Sequence, residues 1–234
     1  MTGREFAPDQ CLRAISVRNM EIDVVLPCLD EADALRWVLD RIPDGARAIV
    51  VDNGSTDGSG ALARRLGATV VDSPTRGYGA ACHTGLRAAT APYVAFCDCD
   101  GSLDPGDVLL LAAALTAGAD LAICRRRPTT RGAFPAAARV ANRELARQVR
   151  KRCGAPIRDV GPMRIARRTA LLDLEIVDRR SGYPVQTVVR AARAGWRIAQ
   201  VDVDYHPRIG RSKVTGNARG YLTAVRDARA ALAS

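Results

Sequence analysis

The chain has 234 residues, 47% of them hydrophobic and 26% charged, and 35 Lys and Arg against 25 Asp and Glu give a formal net charge of +10. That balance describes a folded globular chain rather than a disordered one, long enough for one large α/β domain or two small ones. No apolar run approaches the ~20 residues that span a bilayer, and the opening MTGREFAPDQCLRAISVRNM lacks the apolar centre of a signal peptide, so a cytoplasmic protein is expected.

Seven cysteines lie mostly inside apolar segments without C-x-x-C pairing, which reads as reduced core residues rather than a zinc site. The positive charge admits a nucleic acid, an anionic membrane surface or a phosphorylated substrate as partner.

Along the chain, EIDVVLP (21–27) reads as a strand and DEADALRWVLDRI (30–42) as a helix with an acidic first turn. ARAIVVD (46–52) is a second strand. STDGSGALARRLG (55–67) opens on Ser/Asp capping residues, with Asp57 the helix cap, and stops at Gly67. ATVVDS is a third strand, and GYGAACHTGLRAAT a helix entered through a glycine-rich turn. APYVAFCDCD is a fourth strand, DPGDVLLLAAALTAG a helix with Pro105 near its start, and ADLAICRR a fifth strand. Nearly continuous apolar strands alternating with helices predict a parallel sheet covered on both faces. The 125–152 segment holds ten Lys or Arg and reads as a mobile loop followed by a basic helix. Stacking aromatics are nearly absent there, which argues against nucleic acid and for an anionic lipid or phosphorylated acceptor.

In such sheets ligands lie beyond the carboxyl ends of the strands. Those ends carry Pro27, Asp30 and Glu31 after the first strand, Asp52, Asn53 and Ser55 after the second, and Asp98 and Asp100 after the fourth. A D-x-D there can hold a hard divalent cation against phosphate oxygens; an ordinary acidic turn is the plain alternative.

VVLPCLDEADAL, VVDNGSTDGSGALA, GYGAACHTGLRAA, YVAFCDCDGSLDP, RDVGPMRIARRTAL and GRSKVTG, in this order, resemble the family 2 glycosyltransferases over residues 21–216. The likeness is greatest to the branch of dolichyl- or polyprenyl-phosphate sugar transferases. It implies a single GT-A-like α/β domain, a mostly parallel Rossmann-like sheet with helices on both faces. Residues 1–20 would be an extension, about 21–124 the nucleotide-sugar half and about 125–234 the acceptor half. The implied reaction is inverting, Mg2+- or Mn2+-dependent transfer from a UDP-, GDP- or dTDP-linked sugar to polyprenyl phosphate at an anionic membrane surface. A small soluble hydroxyl acceptor is the alternative, ahead of a sugar nucleotidyltransferase or an inactive nucleotide-binding module.

By the same resemblance Asp98 and Asp100 are the metal ligands, with Asp100 also catalytic. A third metal contact would fall at Ser102. Asp52, Asn53, Pro27 and Glu31 shape the base pocket, while Arg76 and Gly77 belong to the loop covering the nucleotide. Asp159 and Arg164 stand beside the sugar, Asp159 as general base for a hydroxyl acceptor or as donor-orienting group for a phosphate. Gln186 replaces a common Glu and keeps only a hydrogen-bonding role. Arg208, Arg211 and Lys213 form a basic clamp for the donor diphosphate or an acceptor phosphate. His83, on a small-residue helix beside the sheet, reads as a packed or half-exposed histidine rather than a general base, and His206 as readily a structural histidine as a metal contact.

Overall fold

A computed structural model describes residues 17, 19–210, 226–228 and 230–232. Seven strands form one sheet in the order β3-β2-β1-β4-β6-β5-β7. Strand β1 (Ile22–Cys28) pairs in parallel with β2 (Ala46–Asp52) and β4 (Tyr93–Phe96), and β3 (Thr69–Asp72) extends the parallel run beyond β2. On the other side β6 (Arg164–Arg167) runs antiparallel to both β4 and β5 (Leu121–Pro128), and β7 (Ile198–Tyr205) is parallel to β5. The mostly parallel α/β sheet expected from the sequence is therefore present, with β6 the exception.

Both faces are covered because the strands are apolar on both faces. Val25 of β1 belongs to one hydrophobic layer with Cys82, Leu86, Val149 and Val188, drawn from α3 (Tyr78–Ala88), α5 (Ala136–Cys153) and α7 (Tyr183–Arg193). Its neighbours Val24 and Leu26 belong to the opposite layer with Leu35, Ala63 and Leu111, from α1 (Ala32–Leu39), α2 (Ser59–Arg65) and α4 (Val108–Thr116). A short α6 (Arg168–Asp173) follows β6. Side chains alternate across a strand, so one apolar run feeds two cores. Helix α3 presses onto the sheet through Gly85, where a Cβ would collide with Val25.

Two strands, β6 and β7, fall in stretches read from the sequence only as motifs. The fifth strand read through Arg125 and Arg126 runs on to Pro128, with Arg125, Arg126 and Arg127 held in register by Asp202, Val203 and Asp204 of β7. Asp202 accepts from both Arg125 and Arg127, which fixes two of these charges on the sheet. Among the described residues no helix is long and apolar enough to cross a membrane.

Candidate active site

The strand ends meet at one edge of the sheet. After β1 and β2 the chain forms two turns that knit together: Asp30 Oδ1 accepts from Thr56 N (2.7 Å), and Ser55 Oγ accepts from Asp30 N (3.0 Å). Asp57, expected to cap a helix, accepts from Ala32 N (2.9 Å) at the start of α1 and from Ser59 N (2.9 Å) at the start of α2. Burial opposes its ionisation, but these bonds outweigh it and hold its carboxyl below the ordinary value. Asp52 Oδ1 accepts from Ser55 N (2.8 Å), and its other oxygen lies over Gly60, where any Cβ would strike it. Asn53 donates its amide to Cys28 O (2.8 Å), and its side chain accepts from Gly77 N (3.3 Å). Pro27, in register with Val51, and Glu31, whose amide donates to Ser59 Oγ (3.0 Å), border the same corner as Asp52 and Asn53.

Arg76 closes that corner, donating to Gly54 O (3.0 Å) and lying against a glycine whose φ of +88° no side chain could easily adopt. The adjacent Gly77 and Gly79 lie against the 178–180 backbone of the same chain. A Cβ on Gly77 would meet Arg179 O, and one on Gly79 would lie 2.8 Å from Arg180 O. Those carbonyls accept from Gly79 N (3.0 Å) and Ala80 N (2.8 Å), the free amides of the first turn of α3. Gln186, 2% exposed, holds the loop in turn by accepting from Val177 N (2.9 Å) and Asp178 N (2.8 Å).

Asp98 and Asp100 follow β4. Asp98 Oδ1 accepts from the Tyr78 hydroxyl at 3.1 Å. Burial, then the Asp98 charge, push that phenol well above its ordinary value, so it is the donor. Burial and the neighbouring Asp100 push the Asp98 carboxyl up to about 6. Two carboxylates this close resist ionising together, the condition a divalent cation relieves. Asp100 is 6% exposed and faces Arg208, whose Nη2 lies 2.5 Å from Asp100 Oδ2 and 3.4 Å from Glu31 Oε1. A guanidinium therefore rests where the oxygen-donor set calls for positive charge. Ser102 donates its amide to Asp100 Oδ1 (2.9 Å) but is fully buried, behind the turn rather than in the cleft. Among the described residues no three His, Cys, Asp or Glu side chains gather to hold an ion alone. The fit is to a hard cation completed by phosphate oxygens and water, as Mg2+ and Mn2+ accept.

Asp159, 4% exposed, lies across β5. Its Oδ2 accepts from Arg126 N (2.8 Å) and Nε (3.0 Å), and its Oδ1 from Arg126 Nη2 (2.7 Å) and Asn142 Nδ2 (2.8 Å). Burial would lower the Arg126 pKa, yet the Asp159 charge and hydrogen bonds raise it. Beside this pair opens a cleft of about 920 Å³ lined by seven arginines together with Phe134, Val140, Asn142, Pro156 and Asp159. Arg164, expected beside the sugar, is instead 1% exposed. It donates to Gly161 O (2.7 Å), Pro184 O (2.9 Å) and Pro162 O (3.2 Å), which fixes the turn ahead of β6 from behind.

His83 is half-buried, its pKa lowered by burial, Arg179 and Arg87. His206 rests against Trp37, ring centroids 6.4 Å apart. Arg211 and Lys213 lie outside the described residues. Tyr78, Arg126 and Asn142, which bond to Asp98 and Asp159, are the candidate residues that motif reading passes over.

Residues 23–174 match the Glycosyl transferase family 2. The chain is 52% identical over 207 residues to an uncharacterized glycosyltransferase of Mycobacterium tuberculosis, covering 88% of this chain and 95% of that one. It is 31% identical over 206 residues to a dolichyl-phosphate hexose transferase of Haloferax volcanii, 86% of this chain and 89% of the relative. In fold it is similar to glucosyl-3-phosphoglycerate synthase of Mycobacterium tuberculosis, crystallised with Mn2+, UDP and glucosyl-3-phosphoglycerate. That likeness has a TM-score of 0.75 and 24% identity over 99% of this chain and 85% of the other. By the match over most of its sheet and the likeness to these transferases, the chain belongs to glycosyltransferase family 2.

Proposed function

We propose that this glycosyltransferase moves a sugar, with inversion, from a nucleotide sugar to a polyprenyl phosphate at an anionic membrane surface. The observation that carries the acceptor class is the state of Asp159. Both its oxygens are engaged by Arg126 and Asn142, so it is poorly placed to take a proton from a hydroxyl. A phosphate acceptor is already ionised and needs no base. The arginine cleft beside it supplies the charge such an acceptor requires.

In this reading Pro27, Glu31, Asp52, Asn53 and Arg76 hold the nucleotide, and Asp98 and Asp100 hold Mg2+ or Mn2+. The cation, when bound, neutralises charge developing on the departing diphosphate. Tyr78 fixes one Asp98 oxygen through its hydrogen bond, leaving the other for the cleft. Asp159 and its partner Arg126 orient the donor sugar, while Arg164 keeps the 161–162 turn in place. Arg208, with Arg211 and Lys213, clamps the diphosphate.

A small phosphorylated alcohol is the second reading. It is favoured by the openness of the same cleft and by the acceptor-derived product in the structural neighbour. The two separate in one experiment. Labelled UDP-, GDP- and dTDP-sugars are incubated with Mn2+ and anionic vesicles containing polyprenyl phosphate, or with soluble phosphorylated alcohols. Organic-extractable label and co-sedimentation at low salt support the lipid acceptor; label confined to water-soluble product refutes it.

A further inference from the structure

Arg208 is delivered to its place by the backbone. His206 N donates to Ser102 O (2.9 Å) and Ile209 N donates to Asp100 O (2.8 Å), so the 206–209 segment is fastened along the turn that carries Asp100. The Ile209 side chain completes the attachment by packing over Gly101, where a Cβ would stand 2.9 Å from its Cδ1. Between these fastenings one guanidinium nitrogen touches both Asp100 and Glu31. Its Nε is buried and has no hydrogen-bond partner among the described residues. An arginine at home on a carboxylate uses Nε and Nη together as a fork. Arg208 instead satisfies the charge of Asp100 with one nitrogen and leaves a buried donor unused.

We infer that Arg208 is an internal counter-ion that occupies Asp100 in the ligand-free enzyme and leaves it when metal and diphosphate arrive together. This rests on the reading that Asp98 and Asp100 hold the cation. A guanidinium nitrogen at 2.5 Å from Asp100 Oδ2 and a divalent ion on that oxygen exclude each other by volume and by like charge. Whatever Arg208 gains on Asp100 is subtracted from the affinity for metal alone. A diphosphate reverses the balance, because it gives the guanidinium an anion it can grip with the idle Nε and gives the metal further oxygens. Metal and diphosphate therefore bind cooperatively, each weakly without the other, and by linkage each strengthens the other by the same factor.

The test is equilibrium dialysis of Mn2+ against the full chain, with and without inorganic pyrophosphate, in the natural protein and two variants. Arg208→Gln removes the competing charge. Ile209→Gly keeps every charge and loosens only the fastening. Both should bind Mn2+ alone about tenfold more tightly than the natural protein, and the further gain on adding pyrophosphate should shrink by the same factor in Arg208→Gln. Thermal melting confirms that the variants are folded, and Ile209→Gly carries the test if Arg208→Gln is not. Unchanged or weaker Mn2+ binding in the folded variants overturns the inference. If the natural protein takes up Mn2+ with pyrophosphate, that failure leaves the metal assignment standing. If it takes up none under either condition, the assignment and the inference fall together.

Discussion

Replacing Arg126 with Met tests whether Asp159 is a held group or a free one. Asp159 and Arg126 expose only 6% and 13% of their side chains, so the pair is screened little by water. The substitution removes hydrogen bonds of 3.0 and 2.7 Å and leaves Asp159 with the Arg126 amide and Asn142 alone. Losing one partner of a buried ion pair costs about 3–5 kcal/mol. The guanidinium also lies 4.3 Å from the Phe134 ring centre and 5.4 Å from that of Tyr205, contacts worth roughly 0.5–1 kcal/mol each. The methionine chain recovers part of that packing, so a net loss of about 4 kcal/mol is expected. Urea unfolding reads it directly: with a slope of about 2 kcal/mol/M, the midpoint falls by about 2 M. The double variant Arg126→Met with Asp159→Asn should recover at least about 2 kcal/mol of this, since no buried charge is then left alone. A single-variant loss below about 1 kcal/mol, or a double variant whose cost is the sum of the two singles, would refute the reasoning.

Asp100→Asn should abolish turnover and Mn2+-dependent donor binding; normal activity would sink the metal assignment. Asp52→Ala should weaken a nucleoside diphosphate by roughly 1.5–3 kcal/mol in calorimetry, whereas a pure loss of turnover would move Asp52 to the sugar side. Tyr78→Phe removes only the 3.1 Å bond to Asp98 and should weaken Mn2+ binding in the presence of nucleotide by about 1–2 kcal/mol, with a smaller change in nucleotide affinity measured without metal. Gly77→Ala, at a φ of +146° and against Arg179 O, should lower stability by about 2 kcal/mol or more in urea unfolding.

The edge proposed to hold the donor was legible because each of its acids follows an apolar strand, and strand ends are where this architecture places ligands. The acceptor edge was less so. The residues RIAR of β6 carry no period, and their buried arginine looks like a surface one until the carbonyls of Gly161, Pro162 and Pro184 surround it. Strand β7 does alternate, IAQVDVDY, and a reading by period rather than by motif finds it. The pairing of Asp159 with Arg126 joins residues 33 apart, a contact between a strand and a distant turn that no local pattern announces. Gly77 and Gly79 lie against the distant 178–180 loop of the same chain, and local sequence holds no trace of that.

The reversed strand β6 has a further consequence for how such an enzyme can diversify. Its first residue, Arg164, lies beside Phe96, the last of β4, and beside Ile123 of β5. The chain that leaves β5 after Pro128 therefore rejoins the sheet near the rim from which it departed. Everything between, helix α5 included, is an excursion that leaves and rejoins the sheet at one edge and lines the arginine cleft together with Arg125, Arg126 and Arg127 of β5. Its exposed turns can lengthen or change chemistry while the seven strands keep their order and registers, provided α5 keeps Ala146 and Val149 on the sheet. In the proposed reading, the chemistry of the acceptor side can thus vary through these turns without disturbing the residues proposed to hold the donor.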